Sequence, residues 1–123
     1  MPFKDPSRSL HDIADAIGMI EEFVGALDFE EFRSNPMAVA AVERKLQVIS
    51  EAASRLGTDA ERLYSGLPWR NIRGLGNWLR HQYDRIELSM IWKTVKDDLP
   101  SLKTAVLKAL ELPPANPKGP SLG

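Results

Sequence analysis

Apolar residues in this chain recur at three- and four-residue spacing, and that feature narrows the fold more than any other. Leu10, Ile13, Ile17, Ile20 and Val24 make one stripe, and Val39, Val42, Leu46, Ile49, Ala53 and Leu56 make a second. Such spacing sets each group on one face of an α-helix, whereas a half-buried strand needs alternation at every second residue. No stretch alternates in that way and no internal repeat is present. The expected fold is therefore all-α, a bundle whose helices bury these stripes against one another.

Punctuation residues set the expected boundaries. Ser7 or Ser9 can cap a first helix over about 8–26. The link 28–36 carries Phe29 and Phe32, whose rings are expected to plug one end of the bundle. Asn35 followed by Pro36 reads as a cap and first position, opening a second helix over about 36–56 that Gly57 stops. A short helical turn follows over 58–63, with Thr58 as its cap, and Ser65-Gly66-Leu67-Pro68 breaks the chain again. A central helix is expected over about 68–86, then a largely buried one over 88–99 carrying Met90, Ile91, Trp92 and Val95. Pro100 is expected to break and restart this last helix, with Leu102, Val106, Leu107 and Leu110 continuing the spacing. The domain thus covers 1–112, an up-and-down bundle of four or five helices. Residues 113–123, rich in proline and glycine with almost no apolar content, are expected to be a disordered tail.

Composition removes several functional classes. The chain has 123 residues, 43% hydrophobic and 27% charged, ordinary values for one soluble domain. It holds no apolar run long enough to cross a bilayer, and its first twelve residues lack the apolar core of a secretory signal. A cytoplasmic location is the resulting expectation. With no cysteine, and with only His11 and His81 as histidines, a thiolate or multi-histidine metal site is not expected, and neither is a cofactor. A net charge of -1 argues against broad binding of nucleic acid, so any site for a polyanion must be local.

The local site is the stretch 68–86. At about 100° per residue, Arg73, Asn77 and His81 share one helical stripe, with Asp84 close to the same line. Ile72, Leu75, Leu79 and Ile86 mark the opposite, core-facing side, with Tyr83 near its edge. Gly74 and Gly76 each cost about 1 kcal/mol relative to alanine inside a helix, which points to close approach by another helix, a partner chain or a ligand. Arg70, Arg73, Arg80 and Arg85 face Asp84 alone, a local charge of +3 over 69–86. Imidazole beside guanidinium suits phosphodiester cleavage without a metal. Histidine moves the proton of a ribose 2′-hydroxyl, and arginine neutralises charge growing on the phosphoryl oxygens. RNA is then the substrate, since DNA lacks that hydroxyl. The row Glu43, Gln47 and Glu51 on the second helix reads either as a solvated face or as one whose Glu51 supports a basic site on a neighbouring helix. Asp12, Asp15, Glu21 and Glu22 read as a solvated face of the first helix.

These residues resemble the HepT-like toxins of the HEPN (higher eukaryotes and prokaryotes nucleotide-binding) superfamily over about 8–112. The resemblance rests on Leu46-Gln47-Val48-Ile49-Ser50-Glu51-Ala52, on Pro68-Trp69 with Ile72-Arg73-Gly74, on the core from Asn77 to Tyr83, and on Trp92 through Leu102. It implies a HEPN-type bundle that pairs as a homodimer and acts as a metal-independent ribonuclease, with the cleft at the dimer interface. It further implies a nucleotidyltransferase antitoxin of the minimal (MNT) type as partner, in a type VII toxin-antitoxin module. The family motif is an arginine, four residues, a histidine, one residue and a tyrosine. His81 and Tyr83 fall on the last two positions and Asn77 on the polar residue after the arginine, but the arginine position is Gly76. Arg73 and Arg80 flank it and are the candidates to replace it. Tyr83 matches the tyrosine that some antitoxins modify with adenylate. The alternative reading is a HEPN module with weakened or no catalysis that binds RNA, a nucleotide or the nucleotidyltransferase; a third is a structural helical dimer without a ligand.

Overall fold

The computed structural model describes residues 6–57, 62, 65, 66, 69, 72 and 88–111. Every regular element among them is helical: α1 (Pro6–Val24), α2 (Phe29–Arg33), α3 (Pro36–Leu56), α4 (Leu88–Lys93), a π-helical turn (Thr94–Asp98) and α5 (Leu99–Glu111). The all-α architecture is as the periodicity requires. Residues 1–5 and 112–123, with the expected disordered tail, lie outside the described residues, as do most of the turn at 58–63 and of the helix at 68–86.

Helix α1 buries the whole first stripe: Leu10, Ile13, Ile17 and Ile20 have no exposed surface and Val24 almost none. Each such aliphatic side chain contributes roughly 1.5–3 kcal/mol on leaving water. The helix begins earlier than the expected serine cap. Pro6 is already helical, and Ser7 and Ser9 lie within the first turns, Ser9 buried. Proline at a helix start has its φ preset and lacks only an amide hydrogen that the helix could not use, so the helix opens ahead of both serines. At the other end α1 stops at Val24 rather than at residue 26, because Gly25 turns into the left-handed region with φ 49°.

The link 28–36 is itself mostly helix. Asp28 caps α2 by accepting from the Glu31 amide at 2.8 Å, while the Glu31 side chain accepts from the Asp28 amide at 2.9 Å. This reciprocal box satisfies two otherwise orphaned donors. It fixes a helix of five residues that would not form alone. Phe32 is thereby driven wholly into the core, where its ring lies 5.2 Å from that of Trp92, and Phe29 packs at 6.0 Å from the same indole. Both rings thus pack against the Trp92 indole of α4, Phe32 inside the core and Phe29 half-buried beside it.

Helix α3 has the expected bounds. The Asn35 side chain accepts from the Ala38 amide at 3.0 Å, Pro36 opens the helix, and Gly57 ends it. Val42, Leu46, Ile49 and Ala53 are fully buried, with Val39 and Leu56 half-buried beside them. Ala38, Ser50 and Ala52 join the buried face, their small side chains suiting close helix contact. Helix α1 packs against α3 on one side and α5 on the other, while α2 packs against α3 and α4. Two ion pairs show both α1 contacts to be antiparallel. Asp12, early in α1, meets Arg55 at the end of α3, and Glu21, late in α1, meets Lys103 near the start of α5, each at 2.7 Å.

At Pro100 a new α-helical segment does open, α5 beginning at Leu99 with Pro100 in its first turn, but the expected break is absent. Leu99 donates to the Thr94 carbonyl, five residues back, so α4 runs through one π turn directly into α5. A proline inside a helix offers no amide hydrogen and crowds the carbonyl four residues earlier; widening the preceding turn accommodates both. Ile91, Val95, Leu99, Leu102 and Val106 are buried along this rod. Met90 and Leu107, expected inside, are instead 47% and 43% exposed, because each falls beside rather than on the line of those five.

Candidate functional site

His81, Arg73, Arg80, Asn77, Tyr83 and Asp84 lie outside the described residues. What is described is the framework that receives their segment. Trp69 and Ile72 are helical, three residues apart, and both sit in the hydrophobic core at 4% and 1% exposure. That spacing puts them on one helical face. Ile72 is thus on the core side, as its place in the sequence pattern predicts. Trp69 is a core residue as well, a role that the aromatic density of the stretch did not reveal. Arg62 is helical and exposed, and Ser65-Gly66 forms a turn, so the chain is broken before Trp69 where the Ser-Gly-Leu-Pro run requires it.

Helix α3 carries the described acidic candidates. Glu51 is exposed, and its carboxylate approaches Arg44 of the same helix at 3.9 Å. With both side chains more than half exposed, such a pair is worth little. Glu43, two turns earlier in the same row, behaves differently. It is half-buried, and loss of water around its carboxyl pushes its pKa above the usual glutamate range. The row is therefore not uniform: Glu43 and Gln47 face a partly covered side of α3, whereas Arg44 and Glu51 face solvent. Sequence reasoning named Glu43 within this row and did not separate it from Glu51. The available signal was its place beside the Val42 and Leu46 core positions.

The acids of α1 are a solvated face held by salt bridges to α3 and α5 through Asp12 and Glu21, with Asp15 and Glu22 exposed. His11 is exposed too. Among the described residues no group of three His, Cys, Asp or Glu side chains is placed to hold a metal ion, and no helix is long and apolar enough to cross a membrane.

Comparison with known proteins adds what the described residues do not carry. The chain matches the "Ribonuclease HepT-like" family over residues 13–109. It is 42% identical over 94 residues to "Probable ribonuclease HepT" of Thermococcus cleftensis, covering 76% of this chain and 86% of that protein. It is 35% identical over 106 residues to "Putative RNase MJ1380" of Methanocaldococcus jannaschii, covering 86% and 97% respectively. A third relative, "Putative RNase TTE0752" of Caldanaerobacter subterraneus, is 30% identical over 108 residues, covering 88% and 96%. No solved structure matches. The match takes in most of α1, all of α2, α3 and α4, and nearly all of α5, and the chain belongs to the HepT-like ribonuclease family.

Proposed function

We propose that the chain is the toxin of a type VII HEPN/MNT toxin-antitoxin pair, a cytoplasmic, metal-independent endoribonuclease that works as a homodimer. The observation that carries this reading is family membership over 13–109 in a chain that keeps Asn77, His81 and Tyr83 at the motif spacing. His81 takes the proton of the ribose 2′-hydroxyl; the freed oxygen attacks the adjacent phosphorus as the bond from phosphorus to the 5′ oxygen breaks, and the 5′ oxygen takes a proton from water. Charge on the phosphoryl oxygens falls to Arg73 or Arg80, since Gly76 stands where the family has arginine. Asn77 orients the phosphate, and Asp84 and Glu51 enter as supporting carboxylates. A nucleotidyltransferase antitoxin neutralises the toxin, and Tyr83 is the residue it modifies with adenylate.

The test is cleavage of single-stranded RNA by the purified chain and by His81→Ala, Arg73→Ala and Arg80→Ala. His81→Ala is expected to abolish cleavage. The arginine that replaces the missing one is the one whose loss slows the reaction by a factor of about 100 to 1000. Equal rates for all four proteins overturn the assignment. Co-expression with the antitoxin should add the mass of adenylate at Tyr83, and the absence of any such increase removes that part of the reading.

One observation favours a second reading. Glycine at position 76 supplies no charge to a developing phosphorane, which suits a module that binds RNA or the nucleotidyltransferase without cutting. Retention of labelled RNA by the wild type, lost in the Arg73→Ala/Arg80→Ala variant and accompanied by no cleavage, selects this reading over the first.

A further inference from the structure

Helices α4 and α5 form one rod whose middle turn is wound more loosely than its ends. The bond from the Leu99 amide to the Thr94 carbonyl closes a turn that holds one backbone residue more than an α turn does. We propose that this surplus residue is a register device: it sets the rotational phase of α4 against α5, and so turns Trp92 away from the core line of α5 and toward α2. Trp92 precedes Leu102 by ten residues and Val106 by fourteen. In an unbroken α-helix it would lie about 80° and 40° from these two, on the side that packs against α1. One surplus residue rotates it a further step of about 100° from that line. The observed contacts agree with the rotated position. The indole is half-buried, in tilted contact with the Phe32 and Phe29 rings, and has the Lys96 Nζ at 4.8 Å from its ring centroid. Helix α4 contacts α2, whereas α5 packs against α1. One continuous rod thereby serves two partner helices, α2 through α4 and α1 through α5.

The device predicts that a residue can be removed from the π turn without moving either end. Asp97 is exposed, and its deletion combined with Pro100→Ala allows an unbroken α-helix with Trp92 still in phase with Phe32. The combined variant is expected to melt within about 5 °C of the parent. It is also expected to keep the near-ultraviolet circular dichroism of Trp92, read as the difference from the matching Trp92→Phe protein. Deletion of the exposed Arg44, in the middle of regular α3, calibrates the loss when no surplus residue is present, and is expected to unfold the chain. A combined variant that loses the Trp92 signal, or melts more than about 10 °C below the parent, overturns the proposal.

Discussion

Phe32→Ala is the perturbation that most directly tests how the short α2 is held. The ring has no exposed surface and is the largest of the fully buried side chains among the described residues. It belongs to a helix of five residues whose own hydrogen bonds cannot sustain it. Truncating a buried phenylalanine costs about 3–5 kcal/mol in transfer and cavity terms. Loss of the tilted contact to Trp92 at 5.2 Å accounts for about 0.5–1.5 kcal/mol beyond area alone. A domain of this size is stable by roughly 5–15 kcal/mol, so the change removes a large fraction of the total. Urea unfolding followed at 222 nm, at one fixed protein concentration, reads it directly. With a slope of about 2 kcal/mol per molar, the midpoint should fall by roughly 1.5–2.5 M. Phe32→Leu keeps most of the volume and should cost less than about 1.5 kcal/mol. If Phe32→Ala shifts the midpoint no further than Phe32→Leu does, the ring is not what fastens α2 to α3 and α4, and the reasoning fails.

Three further outcomes follow from the described geometry. Gly57 ends α3 at φ 67° and ψ −161°, a region essentially restricted to glycine, so Gly57→Ala should destabilise by about 1–3 kcal/mol in the same unfolding experiment. The Arg55–Asp12 pair at 2.7 Å is about half exposed. A double-mutant cycle on the two residues should give a coupling of about 0.2–1 kcal/mol that shrinks in 1 M salt. Glu43, with its carboxyl pushed up by burial, favours the folded state when protonated. Its stabilising contribution is present below about pH 4, where glutamates of the unfolded chain are protonated, and is lost as pH rises through the higher folded value. Glu43→Gln should therefore gain stability over the parent near neutral pH and match it in acid; a constant difference across a pH series of melting temperatures would contradict that.

The sequence by itself determined the helices whose evidence is local. Periodicity named the buried face of α1 residue by residue, and Asn35-Pro36 with Gly57 placed both ends of α3, because caps and stripes act over a single turn. The capping box at Asp28 and Glu31 was equally local and legible, although the stretch was expected to be a link. The burial of Ile72 was readable too. The candidate catalytic set is different in kind: His81, Asn77 and Tyr83 are candidates by motif spacing alone and lie outside the described residues.

Tertiary structure decided what depends on a second element. Whether Met90 and Leu107 are inside, whether Trp69 joins the core, and why Glu43 is desolvated while Glu51 is not all turn on which helix lies opposite. No single-helix pattern contains that information. The fate of Pro100 is the sharpest instance. A proline can end a helix, start one or be absorbed by a wider turn, and the local cost of each is similar in size to one buried side chain. Here Ile91, Val95 and Leu99 are buried before or beside it and Leu102 and Val106 after it. Keeping the rod continuous retains both sets of contacts, and the π turn is the form the backbone takes to allow it.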